Sequence, residues 1–212
     1  IFNVGCPSGD YIIDLDTHLP KDLLNKEGVG GGLDLDLPFI LVIYHPVTSQ
    51  FENERNQAEQ LLRALDELAF PTLWIWPNID AGGDHISKAI RVYREHNDAK
   101  WLHLVKNLDP VTYQKCLKKT VCAVGNSSSF IRDSTFSGTP VVLVGERQVG
   151  REHGENLKAT PIEKNSILAT IKEQLSHGPY DLCDIYGDGF ASEKIIKHLK
   201  NVELYTQKKL HY

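Results

Sequence analysis

Residues 124–156 read VGNSSSFIRDSTFSGTPVVLVGERQVGREHGEN. An apolar run ends at Gly125 and passes into Ser127, Ser128 and Ser129, then into a short helix-like segment. The turn at Gly138, Thr139 and Pro140 leads to a second apolar run, 141–144, and a loop carrying Arg147, Arg151, Glu152, His153 and Glu155. A strand that hands over to a helix through hydroxyl residues presents free backbone N–H groups, hydroxyl donors and the positive end of a helix dipole. That combination binds anions, phosphate above all. A neighbouring strand that delivers guanidinium groups suits a diphosphate. The same NSSS pattern also describes an ordinary helix N-cap, so the decision rests on the rest of the chain.

Outward from this stretch the chain alternates. Apolar, β-branched runs at 39–44, 72–76, 101–105, 121–124 and 141–144 read as buried strands. Between them apolar residues recur at helical spacing: Ala58, Leu61, Leu62, Leu65 and Leu68, then Ile86, Ala89, Ile90 and Tyr93. Asp109-Pro110 reads as a cap followed by a first-turn proline. Ser49 to Glu52 and Thr160 to Glu163 have capping-box spacing. The second box is followed by Ile167, Leu168, Ile171 and Leu175, and 191–199 forms a last helix. The expected fold class is α/β: a Rossmann-like parallel sheet with helices on both faces. Before it, 1–8 reads as a short apolar strand and 10–26 as a short helix or loop. The stretch 27–36, with Gly28, Gly30, Gly31 and Gly32, reads as a flexible connection. The expected division is 1–36, a hinge-proximal segment with that connection, and 37–212, a nucleotide-binding domain ending in a crossover helix.

In such sheets ligands lie beyond the carboxyl ends of the strands. That rule selects His45 and Pro46, Pro77 and Asn78, Asn126 to Ser128, and Glu146 and Arg147. Composition narrows the ligand. With 212 residues, 41% hydrophobic and 24% charged, the chain can bury a core, and its formal charge of −5 excludes a general nucleic-acid face. A phosphate must therefore be held by local donors. The four cysteines form no C-x-x-C and no zinc spacing, which points to reduced thiols, no metal and a cytoplasmic protein. No apolar run approaches the roughly 18 residues of a membrane span, and no signal peptide is visible. The absence of Met and the start at Ile1 suggest a piece of a longer protein. Trp74 and Trp76 read as core packing. Eight histidines (His18, His85, His96, His103, His153, His177, His198 and His211) show no ligand spacing.

Eight segments, in order, carry a resemblance: VGCPS (4–8), HPVT (45–48), PNIDAG (77–82), GNSS (125–128), GTPVV (138–142), RQVGRE (147–152), GEN (154–156) and IYGDG (185–189). The chain resembles the C-terminal half of the UDP-N-acetylglucosamine 2-epimerases, in particular the hydrolysing branch that makes N-acetylmannosamine for sialic-acid synthesis. The resemblance implies half of a GT-B-type fold, with the UDP-sugar in a cleft between two Rossmann-like domains. His45 would approach the diphosphate and act in catalysis. Asn78 would lie beside the uridine or phosphates. Ser127 and Ser128 would donate to the phosphates, and Arg147 would sit beside the nucleotide. Asp133 would accept from the ribose hydroxyls, although this position is usually Glu. The implied partners are the UDP-sugar, the N-terminal domain of the same polypeptide and further copies in a homo-oligomer. No cofactor, nucleic acid or membrane is implied. The carboxylates that move the C2 proton would come from the other half, so this chain is not expected to catalyse alone. Two alternatives stand beside this reading: the donor half of a GT-B glycosyltransferase, and a non-catalytic nucleotide-sensing module. Within the epimerases, the sugar could be a modified UDP-diacetamido-trideoxyhexose.

Overall fold

Four-residue runs of branched and aromatic side chains build the sheet of the computed structural model, which describes residues 1–24, 28–47 and 53–203. The strands are β1 (Gly28–Gly30), β2 (Ile40–Ile43), β3 (Thr72–Ile75), β4 (Leu102–Val105), β5 (Cys122–Gly125), β6 (Val141–Val144) and β7 (Leu157–Thr160). The helices are α1 (Pro7–Ile12), α2 (Glu54–Leu68), α3 (Gly83–His96), α4 (Pro110–Lys119), α5 (Ser128–Arg132), α6 (Lys164–His177) and α7 (Ala191–Asn201). The strands lie in the order β1-β4-β3-β2-β5-β6-β7, and every pairing is parallel except β1 on β4. Every residue of β2, β3, β4, β5 and β6 is buried, as expected of a sheet covered on both faces.

Alternation along the strands splits the core in two. Ile40, Val42, Trp74, Leu104, Val124 and Val142 face Leu61, Leu62, Leu65, Ile86, Ile90, Ile167 and Ile171 of α2, α3 and α6. Leu41, Ile43, Leu73, Ile75, Ala123, Val141 and Leu143 face Cys116, Leu117, Phe130 and Ile131 of α4 and α5, together with Leu19, Leu24, Leu33 and Leu35. Each fully buried side chain of this size stabilises the fold by about 1.5–3 kcal/mol relative to exposure. Asp10 closes the layer. Its carboxylate accepts from the backbone N–H groups of Ala191 (2.8 Å) and Ser192 (2.6 Å), so α1 supplies the anion at the start of α7. The Ser192 contact holds the Asp10 carboxyl below its ordinary range.

Three expectations change. The first eight residues form no strand: Pro7 opens α1 at its first turn, where a missing N–H is harmless, and Ile1 and Phe2 are exposed. Residues 28–36 are built into the domain, not left as a connection. Gly28–Gly30 pairs with β4, and the glycines there permit close approach; a Cβ on Gly31 would lie 1.8 Å from the Lys100 carbonyl oxygen. Thr160 is the last residue of β7 and caps nothing; Glu163 precedes α6 without a side-chain cap. That edge strand escapes a sequence reading because Lys158 and Ala159 are not buried. The capping box at 49–52 lies outside the described residues. Among the described residues no helix is long and apolar enough to cross a membrane.

Candidate functional site

The chain reverses its direction of travel through the sheet between β2 and β5, so those two strand ends form the switch point of the fold. Gly125 brings them together. Its φ is +144°, and a Cβ there would lie 1.8 Å from the Ile43 carbonyl oxygen. The next residue joins the two ends: Asn126 N–H donates to the Ile43 carbonyl (3.1 Å), and the Asn126 side chain spans to His45. Asn126 Oδ1 accepts from His45 N–H and Asn126 Nδ2 donates to the His45 carbonyl, each at 2.8 Å. The Asn126 carbonyl in turn accepts from Arg147 Nη1 (3.1 Å) and from Gln148 Nε2 (3.0 Å). One buried asparagine thus ties three strand ends together. The sequence reading used its motif but not its side chain, because the partners lie 81 and 21 residues away.

His45 is 9% exposed. Its Nδ1 accepts from the Asn78 backbone N–H at 3.4 Å, which leaves Nε2 as the ring's donor. Burial pushes the imidazole down to about 4, helped by the Arg147 charge and opposed by Asp80. At neutral pH the ring is therefore an uncharged hydrogen-bond donor, and the exposed Arg147 beside it carries positive charge. Asn78 contributes its main chain to His45; its side chain is exposed.

Ser127 is the N-cap of α5: its Oγ accepts from Ser129 N–H (3.4 Å), so the capping role and an anion role fall on the same residue. Ser128 is half-buried at the first helical position. The helix is only five residues long before it tightens into a 3₁₀ turn (Asp133–Phe136), so its free N–H groups matter more than an accumulated dipole. Ser127 Oγ also lies 2.8 Å from Ser129 Oγ, which lies 2.5 Å from the hydroxyl of Tyr113 on α4. Burial raises the Tyr113 phenol well above its ordinary value. Asp133 is buried, with Ser8, Gln114 and Arg132 all donating to its carboxylate, at 3.1, 2.9 and 2.7 Å. A ribose at this carboxylate would have to displace one of those donors.

Beside the switch point, a cleft of about 950 Å³ opens at the ends of β2, β3 and β4. His45 and Tyr113 stand on its walls with Trp76, Pro77, Lys106 and Leu108. Trp76 is half-buried, packing against the core while also lining the cleft, whereas Trp74 is fully buried. Arg91 lies 5.9 Å from the Trp76 ring centre. Among the described residues no group of three His, Cys, Asp or Glu side chains could hold a metal ion. All four cysteines are free thiols. The arrangement is a set of fixed uncharged donors with one arginine, next to a partly apolar cleft. It fits a nucleoside diphosphate whose phosphates take the donors and whose base takes the cleft.

A family model described as UDP-N-acetylglucosamine 2-epimerase matches residues 1–200. A UDP-N,N'-diacetylbacillosamine 2-epimerase (hydrolyzing) of Legionella pneumophila is 31% identical over 207 residues, 98% of this chain and 53% of the relative. The chain spans about half the length of the curated relatives it matches. Among solved structures, UDP-GlcNAc 2-epimerase from Methanocaldococcus jannaschii aligns with a TM-score of 0.67 at 13% identity, over 94% of this chain and 55% of that one. A Staphylococcus aureus structure with UDP aligns with a TM-score of 0.65 at 20% identity, over 93% and 52%. These neighbours share the GT-B-type α/β architecture.

Proposed function

The chain belongs to the UDP-N-acetylglucosamine 2-epimerase family, and from that premise we propose that it is the UDP-binding, C-terminal half of a hydrolysing epimerase converting UDP-N-acetylglucosamine to N-acetylmannosamine and UDP. The observation that carries this reading is the convergence of His45, Ser127 and Arg147 around Asn126 at the switch point. His45 Nε2–H, the Ser127 and Ser128 hydroxyls and Arg147 bind the diphosphate. Asn78 and the cleft take the uridine, and Asp133 takes the ribose.

The chemistry asks for such donors. The C2 proton of the sugar is not acidic until the C1–O bond to UDP begins to break. As UDP leaves, its bonding pair becomes negative charge on the β-phosphate, and donors already aimed there lower the barrier. Loss of the C2 proton completes the elimination to a 2-acetamidoglucal. Water then adds at C1, and a proton returns to the opposite face of C2. The proton transfers use carboxylates of the other half of the protein. The neutral His45 suits the leaving group as a hydrogen-bond donor.

A second reading concerns the sugar. The relative from L. pneumophila is named for UDP-N,N'-diacetylbacillosamine, and this favours a diacetamido substrate with the same nucleotide site. The glycosyltransferase alternative has no comparable observation behind it. Calorimetry on the 212-residue chain with UDP, UMP and uridine tests the nucleotide site: UDP should bind best, and uridine binding as well as UDP would sink the diphosphate assignment. Product analysis with the full-length protein and both UDP-sugars decides the sugar. There His45→Ala should cut turnover by about 10²–10³-fold, the scale of one lost transition-state donor, with the fold intact.

A further inference from the structure

We propose that Tyr113 and Ser129 form a hydroxyl relay that turns the Ser127 hydroxyl proton outward, toward the phosphates of a bound nucleotide. This rests on the nucleotide-binding reading above and adds two positioning residues to it.

The geometry is a chain of three oxygens, Tyr113 Oη, Ser129 Oγ and Ser127 Oγ, with steps of 2.5 and 2.8 Å. Each hydroxyl can donate once and accept twice. If Ser129 accepts from both neighbours, its own proton has no acceptor among the hydrogen bonds of the described residues; otherwise the chain runs in one of two directions. In one, Ser127 donates to Ser129 and Ser129 to Tyr113. The Tyr113 proton is then left without another acceptor among the hydrogen bonds of the described residues, and a half-buried donor without a protein partner is disfavoured. In the other, Tyr113 donates to Ser129 and Ser129 to Ser127. Every inner proton is then satisfied. A phenol is also a better donor and a poorer acceptor than an aliphatic hydroxyl, which favours the same direction.

That direction has a consequence at Ser127. Its Oγ receives the Ser129 hydroxyl proton and the Ser129 backbone N–H at 3.4 Å. Both lone pairs are then occupied, so the Ser127 hydroxyl can act only as a donor to something outside the turn. The relay thus converts a serine that could point either way into a fixed donor, the pre-organisation an anion site needs. The backbone of Tyr113 is held in the capped first turn of α4, where its N–H donates to the Asp109 carbonyl (2.9 Å). It also stands on the wall of the cleft, so the cleft and the serine turn share one side chain.

The test is titration calorimetry on the 212-residue chain with UDP and with inorganic pyrophosphate, for wild type, Tyr113→Phe, Ser129→Ala, Ser127→Ala and the double variant Tyr113→Phe/Ser127→Ala. Thermal melts check that each variant folds. Tyr113→Phe keeps the ring and removes the first proton; it should weaken UDP roughly three- to ten-fold, the range of one hydrogen bond. Pyrophosphate should weaken by the same factor, because the relay acts on phosphate and not on the base. Ser129→Ala should match Tyr113→Phe. In the Ser127→Ala background, Tyr113→Phe should have no further effect. Wild-type affinity in Tyr113→Phe overturns the relay alone. So does a loss for UDP without one for pyrophosphate, which would mark Tyr113 as a wall of the cleft only. A wild-type chain that binds neither probe overturns the relay and the nucleotide reading together.

Discussion

The two sides of the sheet's carboxyl edge are built differently. On the β5 and β6 side two hydrogen-bonded groups adjoin: Asn126 accepts from Arg147 and Gln148 at 3.1 and 3.0 Å, and Ser127 is bonded to Ser129 at 2.8 and 3.4 Å. On the β3 and β4 side, Trp76, Pro77, Asn78, Lys106 and Leu108 line an open cleft, and the link we find to Asn126 runs through His45. The difference follows from what each side has to recognise. An anion's charge is stabilised only by donors that are already aimed and need no reorganisation. A nucleoside is held by shape and apolar area with a few polar contacts.

The comparison breaks first at Gly125. Gly125→Ala places a methyl against the Ile43 carbonyl at a backbone angle side chains avoid. The expected loss is about 3 kcal/mol or more, read as a large drop in the urea midpoint. A near-native midpoint would mean that β2 and β5 can separate without penalty.

Asn126→Ala comes next. It strands the His45 N–H and carbonyl in a buried place, at a cost of about 2–3 kcal/mol. It should also weaken UDP, because the segment carrying His45 loses its side-chain anchor to the end of β5. Loss of stability with unchanged UDP affinity would show the network to be structural only.

His45 sharpens the comparison through pH. Its folded value near 4 lies below the ordinary 6.5. Between those values the unfolded chain binds a proton that the folded chain refuses. This contribution to stability is complete above pH 6.5 and falls as pH drops toward 4. Between pH 7 and pH 5 the stability of wild type relative to His45→Gln should fall by about 2 kcal/mol. Urea unfolding at the two pH values measures it, and a constant difference would mean that the imidazole titrates normally.

The smallest effect is expected at Asn78. Its backbone N–H serves His45 while its side chain is exposed. Asn78→Ala should change stability by less than about 0.5 kcal/mol, with only a modest loss of UDP affinity. A large destabilisation in thermal melts would show that the cleft side is as tightly tied as the serine side.

His45, Ser127 and Arg147 are legible as strand-end residues because strand ends in a parallel sheet converge, and the strands themselves are plain in runs such as 39–44 and 141–144. The glycines at 28–31 mislead because a residue without a side chain looks the same in a linker and in a tight strand contact. β7 is hidden because an edge strand with Lys158 not buried lacks the apolar run that marks the inner strands. The carboxylate of Asp133 is visible in the sequence, but its engagement by Ser8, Gln114 and Arg132 depends on three separate segments meeting.

Periodicity and turn chemistry are local properties, so the sequence by itself determined the alternation of strands and helices, the residues at each strand end and the family motifs. Sheet order is not local. Only the tertiary structure decided that β2 lies beside β5, which sets His45 against Asn126, 81 residues away, and that α4 brings the Tyr113 hydroxyl to Ser129. Hydrogen bonds between such distant groups leave no period in the chain, because each depends on the packing of whole helices and strands between them.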